Sequence, residues 1–78
     1  MCGIFGCIGY GDVRQIVRDG IERNAYRGYD SFGMAVIADT KLFIEKRGGI
    51  QYEGRIGDTL NKIVEFLPNS NVAIGHAR

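Results

Sequence analysis

The side chain best suited to chemistry in this sequence is Cys2, one peptide bond behind Met1. Chain starts fray and bury thiols poorly, so a core role suits it badly. Removal of Met1 would leave Cys2 with both a thiol and a free α-amine. Their unperturbed pKa values are about 8.5 and about 7.7–8.0. The amine can then take the thiol proton near neutral pH and return it to a leaving group. One residue thereby supplies nucleophile and base, as in the N-terminal threonine arrangement. No histidine partner is needed nearby in sequence, and the small Gly3 lets a substrate approach the backbone.

The other reactive groups offer less. On one strand, Cys2 and Cys7 would sit about 16 Å apart at about 3.3 Å per residue, whereas a disulfide needs Cα atoms within about 7 Å. With His76 as the one further soft ligand, a closed zinc site is not expected, and Cys7 reads as a small buried hydrophobe. Gly6, Gly9 and Gly11 fall between a strand and a helix, where phosphate loops occur. Read from Gly9, however, the third glycine of G-x-G-x-x-G is Arg14, so a dinucleotide fingerprint fails. Arg27 suits either an ion pair with Asp30 or a site role, and Gly28 a turn with φ > 0. Arg78, read by itself, is a solvated end residue.

These groups must be positioned by a small chain of 78 residues, 45% apolar, with a net charge of +1. That length allows one domain or part of one, marginal alone. The mixed charge gives no footprint for nucleic acid or an anionic membrane. No apolar run reaches the roughly 18 residues of a membrane span, and no signal peptide is evident. The expected location is the cytoplasm.

Cys2–Gly9 is apolar with interspersed glycines and reads as a strand buried on both faces. Asp12 with Gln15 resembles a capping box. Val13, Ile16, Val17, Gly20 and Ile21 then mark the apolar face of a helix running to about Ala25. Arg18–Glu22 and Asp19–Arg23 are i,i+4 pairs on its wet side. Phe32–Ala38 is a second buried strand. Asp39-Thr40 is a hairpin turn without the usual glycine, and Lys41–Arg47, half polar, is a strand near an edge. Ile56, Leu60, Ile63, Val64 and Leu67 give a second helix, with Asp58 as candidate cap and Pro68 beyond its end. Val72–His76 is a fourth strand. The order is β-α-β-β-α-β, an α+β class. A buried-type strand followed so closely by the last residue suggests a truncated domain.

Three blocks, CGIFGCIG from Cys2, YRGYDSFGMAV from Tyr26 and AIGHAR from Ala73, together resemble the glutaminase domain of the class II glutamine amidotransferases, a family of N-terminal nucleophile hydrolases. The YRGYDS block is most similar to the branch that makes glucosamine-6-phosphate. The amidophosphoribosyltransferase branch, an alternative, shares the Cys-Gly-Ile start but usually differs there. The resemblance implies that residues 1–78 are the N-terminal portion of a four-layer αββα fold. It implies that Cys2 attacks the glutamine side-chain amide, that Arg78 binds the glutamine α-carboxylate, and that Arg27 and Gly28 belong to a loop packed beneath the nucleophile. His76 falls in the family's Gly-His-Thr-Arg stretch as a strand-end structural residue. In the complete enzyme the ammonia passes to fructose-6-phosphate in sugar-isomerase domains absent here, and neither metal nor organic cofactor is needed. Ala77 replaces the usual threonine, removing a hydroxyl beside the substrate arginine. The Trp-containing loop, the Asn-Gly oxyanion donors and the aspartate that grips the glutamine amine are missing. The expectation is therefore an inactive isolated chain that self-associates through unsatisfied strands, and a non-catalytic fragment is the rival reading.

Overall fold

The computed structural model describes residues 3–25, 31–48 and 56–78. Its elements are β1 (Gly3–Ile8), α1 (Arg14–Ala25), β2 (Ser31–Ala38), β3 (Lys41–Gly48), α2 (Ile56–Phe66) and β4 (Val72–Ala77), the α+β order expected from the sequence. The strands form one antiparallel sheet in the spatial order β1-β4-β2-β3. Strand β4 pairs with β1 on one side and β2 on the other, so that Ala77 stands opposite both Gly3 and Phe32. β1 and β2 therefore run parallel to each other across β4, a split β-α-β unit.

Both helices cover one face of this sheet. Strand alternation sends Phe32, Met34, Val36, Ala73 and Ala77 into a core with Val13, Val17 and Ile21 before and within α1 and Leu60, Ile63 and Leu67 within and after α2. Burying each larger side chain is worth about 1.5–3 kcal/mol. Close approach depends on two glycines. A Cβ on Gly75 of β4 would collide with Ile21 and Val17, and one on Gly20 of α1 would collide with the Phe5 ring.

Asp12 caps α1 as expected: its Oδ1 accepts the Arg14 N–H at 3.2 Å. Gln15 does not complete the box, because its amide donates to Asp19 Oδ1 one turn on. Two arginines tie the helices together. Arg14 Nη1 donates to the Val64 and Leu67 carbonyls at 2.7 and 2.5 Å, satisfying the end of α2. Arg18 Nη2 donates to the Gly57 carbonyl at its start and pairs with Glu22. Asp19 pairs with Arg18 rather than Arg23. The two-residue turn between Ala38 and Lys41 has φ of 51° at Asp39 and 62° at Thr40. Those are the signs of a type I′ hairpin, formed without glycine.

Several expectations are corrected. β1 is not buried on both faces: Ile4 and Ile8 are about four-fifths exposed, and Ile37 on β2 is half exposed. Only one helical layer covers the described sheet, so apolar residues of the opposite parity stay bare. Ile16 is also exposed, lying at the margin of the α1 stripe. Asp58 falls inside α2, which starts at Ile56. There its charge complements the helix N-terminus without capping it.

Candidate active site

Residues that border or belong to the three sequence blocks, Gly3, Ser31 and Arg78, lie at one end of the sheet. Ser31 donates its N–H to the Arg78 carbonyl at 3.0 Å, and Arg78 returns its own to the Ser31 carbonyl at 2.7 Å. This extends the β2–β4 ladder by one pair beyond Phe32 and Ala77. On the other side of β4, Gly3 faces Ala77. Paired Cα atoms in such ladders are about 4.5–5.5 Å apart. The residue bonded to Cys2 and the residue bonded to Arg78 are thus cross-strand neighbours. Gly48, at the end of β3, faces Ser31.

Cys2, Arg27 and Gly28 lie outside the described residues. Gly3, bonded to Cys2, is described, as is Ser31, the last residue of the block that carries Arg27 and Gly28. Arg78 is exposed beyond the end of β4, with its backbone fixed by Ser31. Ser31 received no role from the sequence. The available signal was its place at the junction of turn chemistry and strand.

His76 faces Ile4 on one side and Gly33 on the other. It is half-buried on the sheet face away from the helices. With Ile4, Gly33, Ile44, Lys46 and Ile74 it lines a depression of about 270 Å³. The absent side chain of Gly33 helps to open that hollow. Ala77 differs from expectation. Its side chain is buried in the core against the helices, so its missing hydroxyl would have sat on the helix side of the sheet. Cys7 is a free, half-buried thiol packed at the core's edge.

Among the described residues, no three His, Cys, Asp or Glu side chains are placed to hold a metal ion, and no helix is long and apolar enough to cross a membrane. The Asp12 carboxyl lies below its ordinary pKa range, chiefly through the hydrogen bond from the Arg14 side chain. It belongs to the helix cap, far along β4 from Arg78. What the sheet offers is a backbone frame that brings Gly3, Ser31 and Arg78 to one end.

Sequence comparison supplies independent information. All 78 residues align at 46% identity with a Geobacillus kaustophilus protein named glutamine–fructose-6-phosphate aminotransferase (isomerizing). A protein of the same name from Shouchella clausii is 48% identical over 80 aligned residues, and one from Cyanidium caldarium 34% over 79. In each case the chain spans about 12% of the relative's length. No protein-family model matches the chain.

Proposed function

We propose that the chain belongs to the glutamine–fructose-6-phosphate aminotransferases and so to the class II glutamine amidotransferases, on its 34–48% identity to relatives of that name, and that residues 1–78 are the nucleophile-bearing portion of a glutaminase domain. With Met1 removed, Cys2 Sγ attacks the glutamine amide carbon. The α-amine of Cys2 takes the thiol proton and delivers it to the departing ammonia. Water then cleaves the thioester to release glutamate and regenerate the thiol. Arg78 holds the glutamine α-carboxylate through a bidentate pair, and Arg27 and Gly28 shape the loop beneath the nucleophile.

The observation that carries this reading is the convergence at the sheet end, where Ala77 faces Gly3 and Arg78 exchanges hydrogen bonds with Ser31. Gly3 and Ser31, which belong to the first and second blocks, lie beside the strand end that carries Arg78, and this supports a nucleophile and a carboxylate-binding arginine acting together there. In the complete protein the ammonia aminates fructose-6-phosphate, in the cytoplasm and without a metal or organic cofactor.

The same reading gives the bare sheet face a place in an αββα fold, where a second sheet would stack about 10 Å away. The relatives' additional length would supply that sheet, together with the oxyanion donors and the sugar-isomerase domains. Removing one oxyanion donor costs about 10²–10³ in rate. The 78-residue chain by itself is accordingly inactive on glutamine, and it self-associates.

A chimera tests the assignment: these 78 residues replace the aligned segment of the Geobacillus relative, and glutamine-dependent formation of glucosamine-6-phosphate is measured. Activity abolished by Cys2→Ala supports the reading. Glutamine-dependent activity that survives Cys2→Ala overturns it. Ammonia release by the purified 78-residue chain, lost in Cys2→Ala, would overturn the inactivity of the isolated chain.

A further inference from the structure

The turn that feeds β4 is tied down more heavily than a surface turn requires. Among the described residues Ser70 is the one buried polar side chain. Its hydroxyl accepts the Val72 N–H at 3.0 Å and lies within donating reach of the Ile37 and Val72 carbonyls. A hydroxyl has one proton, so it serves one of those carbonyls at a time. The Ser70 carbonyl accepts the Val13 N–H at 2.8 Å, and the Ser70 N–H donates to Asp12 Oδ1 at 3.4 Å. Beside it the Asn71 carbonyl accepts the Gly9 N–H at 3.0 Å.

These bonds close one end of both ladders that β4 makes. The β2–β4 register runs to Val36 opposite Ala73, and the Ser70 hydroxyl bridges the next residue of each strand, Ile37 and Val72. The β1–β4 register runs to Ile8 opposite Val72, and Gly9 with Asn71 follows it. The other end of the same strand carries Arg78, held by Ser31.

On the helix side β4 presents Ala73 and Ala77 with Gly75 between them. Two methyl groups bury little apolar area, so that face holds the strand weakly. Strands with few apolar side chains and a glycine are also the kind whose register packing specifies poorly. Gly75 excludes misplacement by the collisions that any Cβ there would suffer with Ile21 and Val17. Attraction into place comes from the ladders and from the turn.

We infer that Ser70 is a positioning residue for Arg78: by fixing the entry of β4 against β2 and the start of α1, it keeps the strand's exit aligned with Ser31. This rests on the reading above that Arg78 binds the glutamine carboxylate. Ser70 touches no substrate and acts through the strand alone.

Hydrogen exchange and steady-state kinetics on the chimera test this. Ile63→Val, a truncation in the core on α2, controls for general loss of stability. Ser70→Ala should speed amide exchange across Val72–Arg78 several-fold and raise KM for glutamine several-fold at unchanged kcat. A change confined to KM marks lost binding rather than lost chemistry. Ile63→Val should leave KM as it is. Unaltered exchange in Ser70→Ala would overturn the hold on β4. Faster exchange with unchanged KM would overturn the positioning role, and so would an equal rise of KM in Ile63→Val. Glutamine-dependent activity that survives Cys2→Ala would overturn the proposed function and with it the effect on KM, while exchange still decides whether Ser70 holds β4.

Discussion

Ser31 and Arg78 exchange both backbone hydrogen bonds, at 3.0 and 2.7 Å, across the end of the β2–β4 ladder. The pair joins the last residue of the YRGYDS block to the arginine proposed to bind the substrate carboxylate. Ser31→Pro removes one donor and should cost about 1–3 kcal/mol of stability, the range for a lost hydrogen bond that leaves its partner unsatisfied. In the chimera it should also raise KM for glutamine, because Arg78 loses its tether. Urea denaturation and initial-rate kinetics check the two effects separately, and an unchanged KM would disconnect the pair from the site.

The contact between Gly75 and Ile21 should be intolerant of added volume. Gly75→Ala places a methyl where Ile21 and Val17 already sit, and overpacking of this kind costs about 1–3 kcal/mol. Combined with Ile21→Val, which shortens the opposing side chain, the loss should be smaller than the sum of the single changes. A double-mutant cycle from denaturant midpoints measures that coupling. Simple additivity would mean that the two residues do not share the strain.

At the hairpin, a β-branched residue occupies φ of 62°, a conformation that glycine adopts freely. Replacing Asp39-Thr40 by Asn-Gly should stabilise the chain by about 0.5–1 kcal/mol, as the favoured type I′ pair. Thermal denaturation should show a higher midpoint. A lower midpoint would mean that the Asp39 or Thr40 side chain contributes more than the turn geometry suggests.

Asp12 gives the fold an acid-sensitive cap. Its folded-state pKa is depressed, first by the side-chain hydrogen bond from Arg14. Its stabilisation is therefore fully present above the unfolded carboxylate value of about 3.9, and it fades as pH falls through the lower folded value. Asp12→Ala should cost about 0.5–2 kcal/mol at neutral pH, the usual range for a lost N-cap. The gap between the two proteins should close on acidification below about pH 4. Urea midpoints across pH test this, and a gap independent of pH would remove the ionised carboxylate from the account.

The elements were largely legible because their signals are local. Val13, Val17, Gly20 and Ile21 recur at helical spacing, Pro68 closes α2, and the polar alternation of Lys41–Arg47 marks an edge. The strand order was not legible. That β4 inserts between β1 and β2 depends on pairings between residues far apart in sequence, which no local pattern encodes. For the same reason Ile4 and Ile8 looked buried: an apolar strand reads alike whether one face or both are covered. Arg14 drew notice only as the residue that spoils a glycine motif, yet it completes the end of α2. The candidate site was proposed from a resemblance in three blocks. That Gly3, Ser31 and Arg78, which belong to them, lie at one end of the sheet needed the register of Gly3, Phe32 and Ala77.

The central position of β4 also bears on how the molecule comes into being. Gly3 pairs with Ala77, so the first strand waits on the ribosome for a partner from the far end of this sequence. Until β4 arrives, β1 has no neighbour in the sheet, and β2 has only its hairpin partner β3. Such distant pairings slow folding, because loop-closure entropy is spent before contacts return it. Closure of the sheet and the placing of Arg78 opposite Ser31 are consequently one event, which cannot precede the synthesis of β4.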